Sequence, residues 1–141
     1  MRQKEDGFTT YMVMLLMAVI FVTWGGLIGQ VHQQLQSVQD EALLTQCQYG
    51  AERGISWYLS RVQQQGQPWS PKQIVTRIDP ENNQLEWRMT SYVEAEPNTY
   101  ELRIACLHKI YGLSVTRLVS YRMSEVDGKR HIQVTNVKRL E

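Results

Sequence analysis

Residues 7–30 read GFTTYMVMLLMAVIFVTWGGLIGQ and contain no Asp, Glu, Lys, Arg or His. More than half of these positions are Met, Leu, Val, Ile, Phe or Trp. A helix of about 20 such residues is long enough to cross the ~30 Å hydrocarbon layer of a bilayer. We therefore predict that residues 8–30 form a transmembrane helix.

The charges that flank this stretch predict its orientation. Arg2 and Lys4 precede it, whereas the next Lys or Arg after it is Arg53. Because cationic residues are retained on the cytoplasmic side, we expect the N-terminus in the cytoplasm and the C-terminal domain outside it. A cleaved secretory signal peptide fits poorly, since its apolar region spans about 7–15 residues and ends at small residues. The prediction is one pass through the inner membrane.

The segment after the membrane stretch predicts a continuation of the same helix. Residues 31–65 contain no Pro and are rich in Gln, Leu, Ala and Glu, which favour helix. Apolar residues recur at steps of three and four, which marks one face of a helix. They are Leu44, Cys47, Ala51, Ile55, Tyr58 and Val62. We predict one helix from about Phe8 to about Gln65, with residues 31–65 as its amphipathic half.

The sequence pattern changes after the helix. Residues 66–71 contain one Gly and two Pro, which end a helix, and residues 66–83 are predicted as a linking loop. Residues 84–141 then alternate apolar and polar side chains, as strands with one buried face do. The turn signals that divide this region into four strands are Pro97-Asn98, Tyr111-Gly112 and Asp127-Gly128.

These elements predict an α+β fold. The apolar face of a four-stranded antiparallel meander needs a cover, and the amphipathic half of the helix needs a surface on which to bury its stripe. We expect the two to pack together in one soluble domain of about a hundred residues. Arg117 falls on the apolar parity of the third strand, so we expect a bulge or an edge position there.

Two cysteines are too few for a disulfide scaffold. Cys47 lies on the apolar stripe of the helix and Cys106 on the apolar parity of the second strand, so both should face the same interface. They are therefore either a disulfide, which an oxidising compartment would permit, or two buried thiols that act as small hydrophobic side chains.

The sequence predicts no enzymatic function. His32, His108 and His131 have no partners at metal-ligand spacing, and the chain has neither a phosphate-binding glycine loop nor a nucleophile motif. No metal and no cofactor are predicted.

The net charge of +1 predicts no strong attraction to a polyanion, although basic residues concentrate toward the C-terminus. A solvated sheet face is the favoured interpretation of these residues, and a DNA-binding face is the alternative. They are Arg117, Arg122, Lys129, Arg130, Lys138 and Arg139.

The motif Lys4-Glu5-Asp6-Gly7-Phe8-Thr9 lies at the start of a predicted apolar helix, which continues into an amphipathic half and is followed by a sheet. This arrangement resembles that of the type IV pilin and pseudopilin family. The resemblance implies that residues 1–7 are a leader that prepilin peptidase removes by cutting between Gly7 and Phe8, and that Phe8 is then N-methylated. It also implies membrane lipid, other pilin or pseudopilin subunits and an inner-membrane assembly platform as partners, and a final place in a filament or at the cell surface.

One departure from the family indicates whether the subunit is a major or a minor one. The fifth mature residue in the family is usually Glu, which pairs with the N-terminal amine of a neighbouring subunit, and here it is Met12. A carboxylate inside lipid is normally retained only for such a partner. Family members without this Glu include minor subunits of the filament tip, which have no subunit above them to engage.

Gly25, Gly26 and Gly29 lie where family helices often loosen. Gly25 and Gly29 also form a G-x-x-x-G pair, which allows close helix approach in lipid. The alternative is that they are ordinary glycines of a membrane helix.

The sequence thus predicts a minor pilin-like or pseudopilin subunit of a type IV pilus or a type II secretion filament. The alternative is an uncleaved single-pass membrane protein that serves as an envelope scaffold or adaptor.

Overall fold

The computed structural model describes the backbone of residues 2–140 and the side chains of residues 7–140. The leader residues Lys4, Glu5 and Asp6 of the predicted cleavage motif therefore have side chains outside the described part. One helix, α1 (Arg2–Gln65), is followed by five strands. These are β1 (Ile74–Ile78), β2 (Leu85–Val93), β3 (Thr99–His108), β4 (Ser114–Val126) and β5 (Lys129–Leu140). The chain divides into two compact units, Met1–Glu41 and Ala42–Glu141.

The predicted α+β class is confirmed, but the sheet has five strands instead of four. All neighbours pair antiparallel in the order β1-β2-β3-β4-β5. The extra strand β1 lies inside the stretch that the sequence predicts as a loop, and it pairs from Ile74 opposite Thr90 to Ile78 opposite Glu86. Because β1 is an edge strand with four of its five residues exposed, it lacks the alternation by which a strand is recognised.

Backbone conformation at the predicted breaks explains why the elements end there. Gly66 follows α1 with φ +76°, and its N–H donates to the carbonyl oxygen of Val62 at 2.7 Å, which closes the helix end. Asp127 and Gly128 both have positive φ, as a two-residue hairpin turn requires. They place β5 beside β4.

The head, Ala42–Glu141, is held together by the apolar stripe of α1 packed on one face of the sheet, as predicted. Gly50 and Gly54 lie on this stripe, and a side chain at either position would collide with the sheet. These two glycines therefore set how closely the helix approaches. The buried apolar residues are Cys47, Ala51, Tyr58, Val62, Leu85, Trp87, Met89, Leu102, Ile104, Cys106, Val115, Val119 and Tyr121.

The predicted bulge or edge position at Arg117 is wrong. Arg117 pairs in regular register with Arg139, and β4 lies between β3 and β5. The irregularity lies between Ser120 and Tyr121 and leaves Thr135 of β5 unpaired, with its hydroxyl donating to the Ser120 carbonyl oxygen at 3.0 Å. The extra residue reverses which side of the sheet the following residues of β5 face. An arginine in the neighbouring strand gives no sign of this reversal.

Candidate functional site

The apolar surface of α1 within the first unit is the main candidate site. Within the described part of the chain, one helix (Gly7–Gln65) is long and apolar enough to cross a membrane, and its most apolar window has no buried residue. Large apolar side chains are exposed along the segment, for example Phe8 at 65%, Phe21 at 75% and Trp24 at 63%. A helix that is apolar on all sides is stable in lipid or inside a larger assembly, not in water.

The hydroxyl group of Thr23 shows how a polar side chain is accommodated in this segment. It donates to the carbonyl oxygens of Val19 at 3.0 Å and Ile20 at 2.8 Å. Because a polar group in hydrocarbon must find its partner within the protein, bonding to its own helix makes Thr23 compatible with a membrane span.

Gly7 and Phe8, the predicted cleavage pair, lie in the helical backbone of α1. No heavy atom lies within 4 Å of a Cβ built on Gly7, and Phe8 is largely exposed. Among the described residues nothing covers the peptide bond between them. Cleavage and methylation stay predictions.

Gly25, Gly26 and Gly29 also face open space, with no heavy atom within 4 Å of a built Cβ at any of them. α1 continues without interruption through all three. Gly25 and Gly29 are one turn apart, so they leave a shallow part of the helix surface where a second helix can approach closely.

Cys47 and Cys106 are brought together in the core of the head, as the sequence predicts, and both are free thiols there. Burial raises the pKa of both thiols, that of Cys106 to about 12, and the neighbouring Cys47 adds to the rise at Cys106. The Cys47 thiol also contacts the carbonyl oxygen of Leu113 at 3.8 Å. Protonated thiols are poor nucleophiles. The disulfide alternative stays a prediction.

An ion-pair cluster that sequence reasoning missed joins α1 to the turn between β1 and β2. The Asp79 side chain is completely buried, and its carboxylate accepts hydrogen bonds from the guanidinium of Arg53 and from the backbone N–H of Glu81. The Glu81 carboxylate lies 3.4 Å from Nε of Arg53. In the sequence these residues show only a turn signal at Asp79-Pro80 and one charged residue beside the helix stripe.

The histidines occupy unrelated positions. His32 lies beside Gln36 at 3.3 Å, His131 is exposed in β5, and His108 is buried with neither ring nitrogen hydrogen-bonded. Across the described residues no group of three His, Cys, Asp or Glu side chains is arranged to hold a metal ion.

Three tryptophans pack around the helix–sheet interface. The ring of Trp57 lies 5.9 Å from that of Trp69 and 6.4 Å from that of Trp87. The guanidinium of Arg77 lies 4.4 Å from the centre of the Trp57 ring, so a cation covers the cluster. These tryptophans form core and loop contacts.

The basic C-terminal residues do not form a single face. Arg122 pairs with Glu96 at 2.9 Å, and the guanidinium of Arg130 packs on Gly66 at the end of α1. By the pairing register Arg139 lies on the helix side of the sheet, opposite Arg117, and Lys138 lies on the other side, opposite Leu118. This division disfavours a DNA-binding surface, which needs its cations on one face.

Comparison with known protein families, with curated proteins and with solved structures found no match.

Two surfaces of different chemistry remain. The first unit offers an apolar helix for lipid or for other helices. The head offers a rigid core with a charged exterior.

Proposed function

We propose that this chain is a minor pilin-like or pseudopilin subunit, assembled through α1 into a type IV pilus or a type II secretion filament. The observation that carries the proposal is the position of Gly7-Phe8. This pair lies in α1 at the start of residues 8–30, which are mostly apolar and exposed, and the last turns of the same helix are packed on a sheet. One helix thus contributes both an assembly surface and part of a folded head.

In this proposal each segment has a physical role. Arg2 and Lys4 keep the N-terminus in the cytoplasm during insertion. Prepilin peptidase then cuts after Gly7 and methylates Phe8, which leaves residues 8–30 as an apolar helix for transfer from lipid into the filament. The driving force is helix packing, to which Gly25 and Gly29 contribute by close approach.

Met12 supports a minor rank for the subunit. Without a carboxylate at this position, the chain cannot pair with the N-terminal amine of a neighbour in the way that the family resemblance implies. A subunit that lacks this contact is suited to begin or cap a filament, with the shaft built from other subunits.

The chemical state of the N-terminus tests the proposal. The full chain is expressed with and without prepilin peptidase, and its intact mass is measured. We expect the mass of residues 8–141 plus one methyl group only when the peptidase is present, and we expect Gly7→Val to abolish the change. Gly26→Ala is the matched control, because it alters a glycine of the same helix away from the cut. An intact Met1 after co-expression would reject the proposal in favour of the uncleaved scaffold.

The number of copies per filament tests whether the subunit is a minor subunit of the filament tip. A tip subunit is present at a constant number per filament, so its ratio to the major subunit should fall as filaments lengthen. Quantitative mass spectrometry of intact filaments grown to different lengths would show this. A ratio independent of length would place the subunit in the shaft.

A further inference from the structure

The outer edge of β5 is the largest unpaired backbone surface of the head. β5 is 12 residues long and pairs with β4 on one side only, since it ends the strand order of the described sheet. Eleven of its residues are exposed and Ile132 is half-buried. Alternate backbone N–H and C=O groups of an edge strand point outward, where an added strand can bond to them.

The helix-facing side of β5 is apolar but uncovered. Val134 pairs with Tyr121 and Val137 pairs with Val119, so both valines lie on the face that carries the core. Tyr121 and Val119 are fully buried, whereas Val134 is 43% and Val137 52% exposed. The bulge at Thr135 puts both valines on this face although they are three residues apart. The apolar surface of the sheet therefore extends one strand beyond the cover that α1 provides.

The opposite side and the ends of β5 are basic. The strand contains Lys129, Arg130, His131, Lys138 and Arg139 but no acidic residue. Lys138 and His131 project to the side away from the helix, because they pair with Leu118 and Ser124. Within residues 7–140 no carboxylate forms an ion pair with a side chain of β5.

We propose that β5 is a docking edge for an extended segment of another protein, which adds to the sheet as a sixth strand. The chemistry of the edge defines the partner. Apolar side chains on one side of the added strand would cover Val134 and Val137, and acidic side chains on its other side would face Lys138 and the basic residues around Lys129. The partner is therefore an acidic strand that alternates apolar and carboxylate residues.

A second copy of β5 does not meet these requirements. A second β5 would bring five more basic residues and no carboxylate to the edge, so no cation of either strand would gain a counter-charge from the other. Like charges directly opposite each other destabilise strand pairing. The same charges therefore disfavour self-association and favour an acidic partner.

DNA is also a poor occupant. The cations of β5 lie on both sides of the sheet, with three apolar residues between the basic ends on the helix side. A strand edge can match this pattern, but a duplex, which presents its phosphates along one surface, cannot. The inference concerns the head alone and holds whether or not the chain is cleaved after Gly7.

The test uses the full chain in detergent micelles and four fluorescent probes. The first is a twelve-residue peptide that alternates valine with glutamate, and the second alternates valine with lysine. The third is the acidic peptide with every second backbone nitrogen methylated, which removes half of the main-chain donors. The fourth is a DNA duplex. We expect the acidic peptide to bind and the other three to bind at least about tenfold more weakly. Equal binding of the methylated peptide, or tighter binding of the lysine peptide or the duplex, would overturn the proposal.

Charge reversal on β5 provides the second test. Lys129→Glu with Lys138→Glu should weaken the acidic peptide about tenfold and strengthen the lysine peptide. Lys72→Glu is the matched control, because it makes the same change in the segment before β1, at the opposite edge of the sheet. Circular dichroism and thermal unfolding establish that each variant is folded. An unchanged preference in the folded double variant would overturn the proposal, and the methylated peptide tests it even if that variant is unstable.

Discussion

Arg53 of α1 holds the buried Asp79 carboxylate beside the turn between β1 and β2. Nε of Arg53 donates to Oδ2 of Asp79 at 3.1 Å, and a second guanidinium nitrogen contacts the same oxygen. The hydrogen bond to Asp79 raises the pKa of Arg53, so the guanidinium stays charged. This pair ties the helix to the edge of the sheet that the sequence did not predict as a strand.

Replacing Arg53 should destabilise the head more than replacing any exposed arginine. Arg53→Gln leaves the carboxylate of Asp79 buried without its cation, and loss of one partner of a buried pair costs about 3 kcal/mol. Chemical denaturation of the full chain in detergent measures the free energy of unfolding. Arg122→Gln is the control, because Arg122 forms an exposed pair with Glu96 that is worth less than about 1 kcal/mol. Equal losses of unfolding free energy in the two variants would mean that the Arg53–Asp79 pair contributes no more than an exposed ion pair.

Gly54→Ala should destabilise the head although Ala favours helix. A Cβ at this position would overlap Cδ1 of Ile104 and lie 3.2 Å from the Trp87 ring. The overlap should cost about 1–3 kcal/mol, against a gain of up to about 1 kcal/mol in helix propensity. Gly29→Ala is the control, since nothing lies within 4 Å there, and the thermal midpoint of the head should not fall. A higher midpoint for Gly54→Ala would contradict the close approach of helix and sheet.

Tyr58 and Tyr121 form a buried hydrogen bond between their hydroxyl oxygens at 3.1 Å. Tyr121→Phe leaves the Tyr58 hydroxyl without its partner in the core, so the free energy of unfolding should fall by about 1 kcal/mol or slightly more. Tyr111→Phe removes an exposed hydroxyl and should have no measurable effect. A loss no larger than that of the control would show that water satisfies the Tyr58 hydroxyl.

The reduced head should lose stability in alkali. Burial raises the pKa of Cys106 from 9.0 to about 12, so the unfolded chain releases this proton before the folded chain does. Stability is therefore fully present below pH 9 and falls between pH 9 and 12, by about 1.4 kcal/mol per pH unit. Cys106→Ala should reduce this slope between pH 9 and 10, before the buried Tyr121, whose pKa is also raised, begins to contribute. Parallel pH profiles for the two proteins would contradict the assignment.

Oxidation should join Cys47 to Cys106, because both thiols lie in the same buried cluster and Cys47 is close enough to raise the pKa of Cys106. A bridge that closes so long a loop contributes about 3–4 kcal/mol in the chain-entropy account. Non-reducing mass spectrometry of protein exported from the cytoplasm should show the loss of two hydrogens, and Cys47→Ala should prevent it. Two free thiols in the exported protein would establish the alternative of two buried apolar side chains.

The period of the apolar residues allowed most of the fold to be predicted. Steps of three and four from Leu44 to Val62 identified the helix face, and steps of two from Leu85 identified the buried side of the central strands. Both patterns arise because burial on one side imposes a local spacing. Ile74–Ile78 gave no such signal, since an exposed edge strand buries neither face and is held by pairing with β2.

The sequence by itself determined the membrane-length helix and its continuation into an amphipathic half, because these depend on composition and short-range spacing. Only the tertiary structure decided that Arg53 meets Asp79, that Gly50 and Gly54 bring the helix against the sheet, and that β5 has an uncovered basic edge. These relationships join residues that are distant in the chain. They depend on how the strands align, on one bulge at Thr135 and on how far α1 reaches across the sheet, none of which leaves a local pattern.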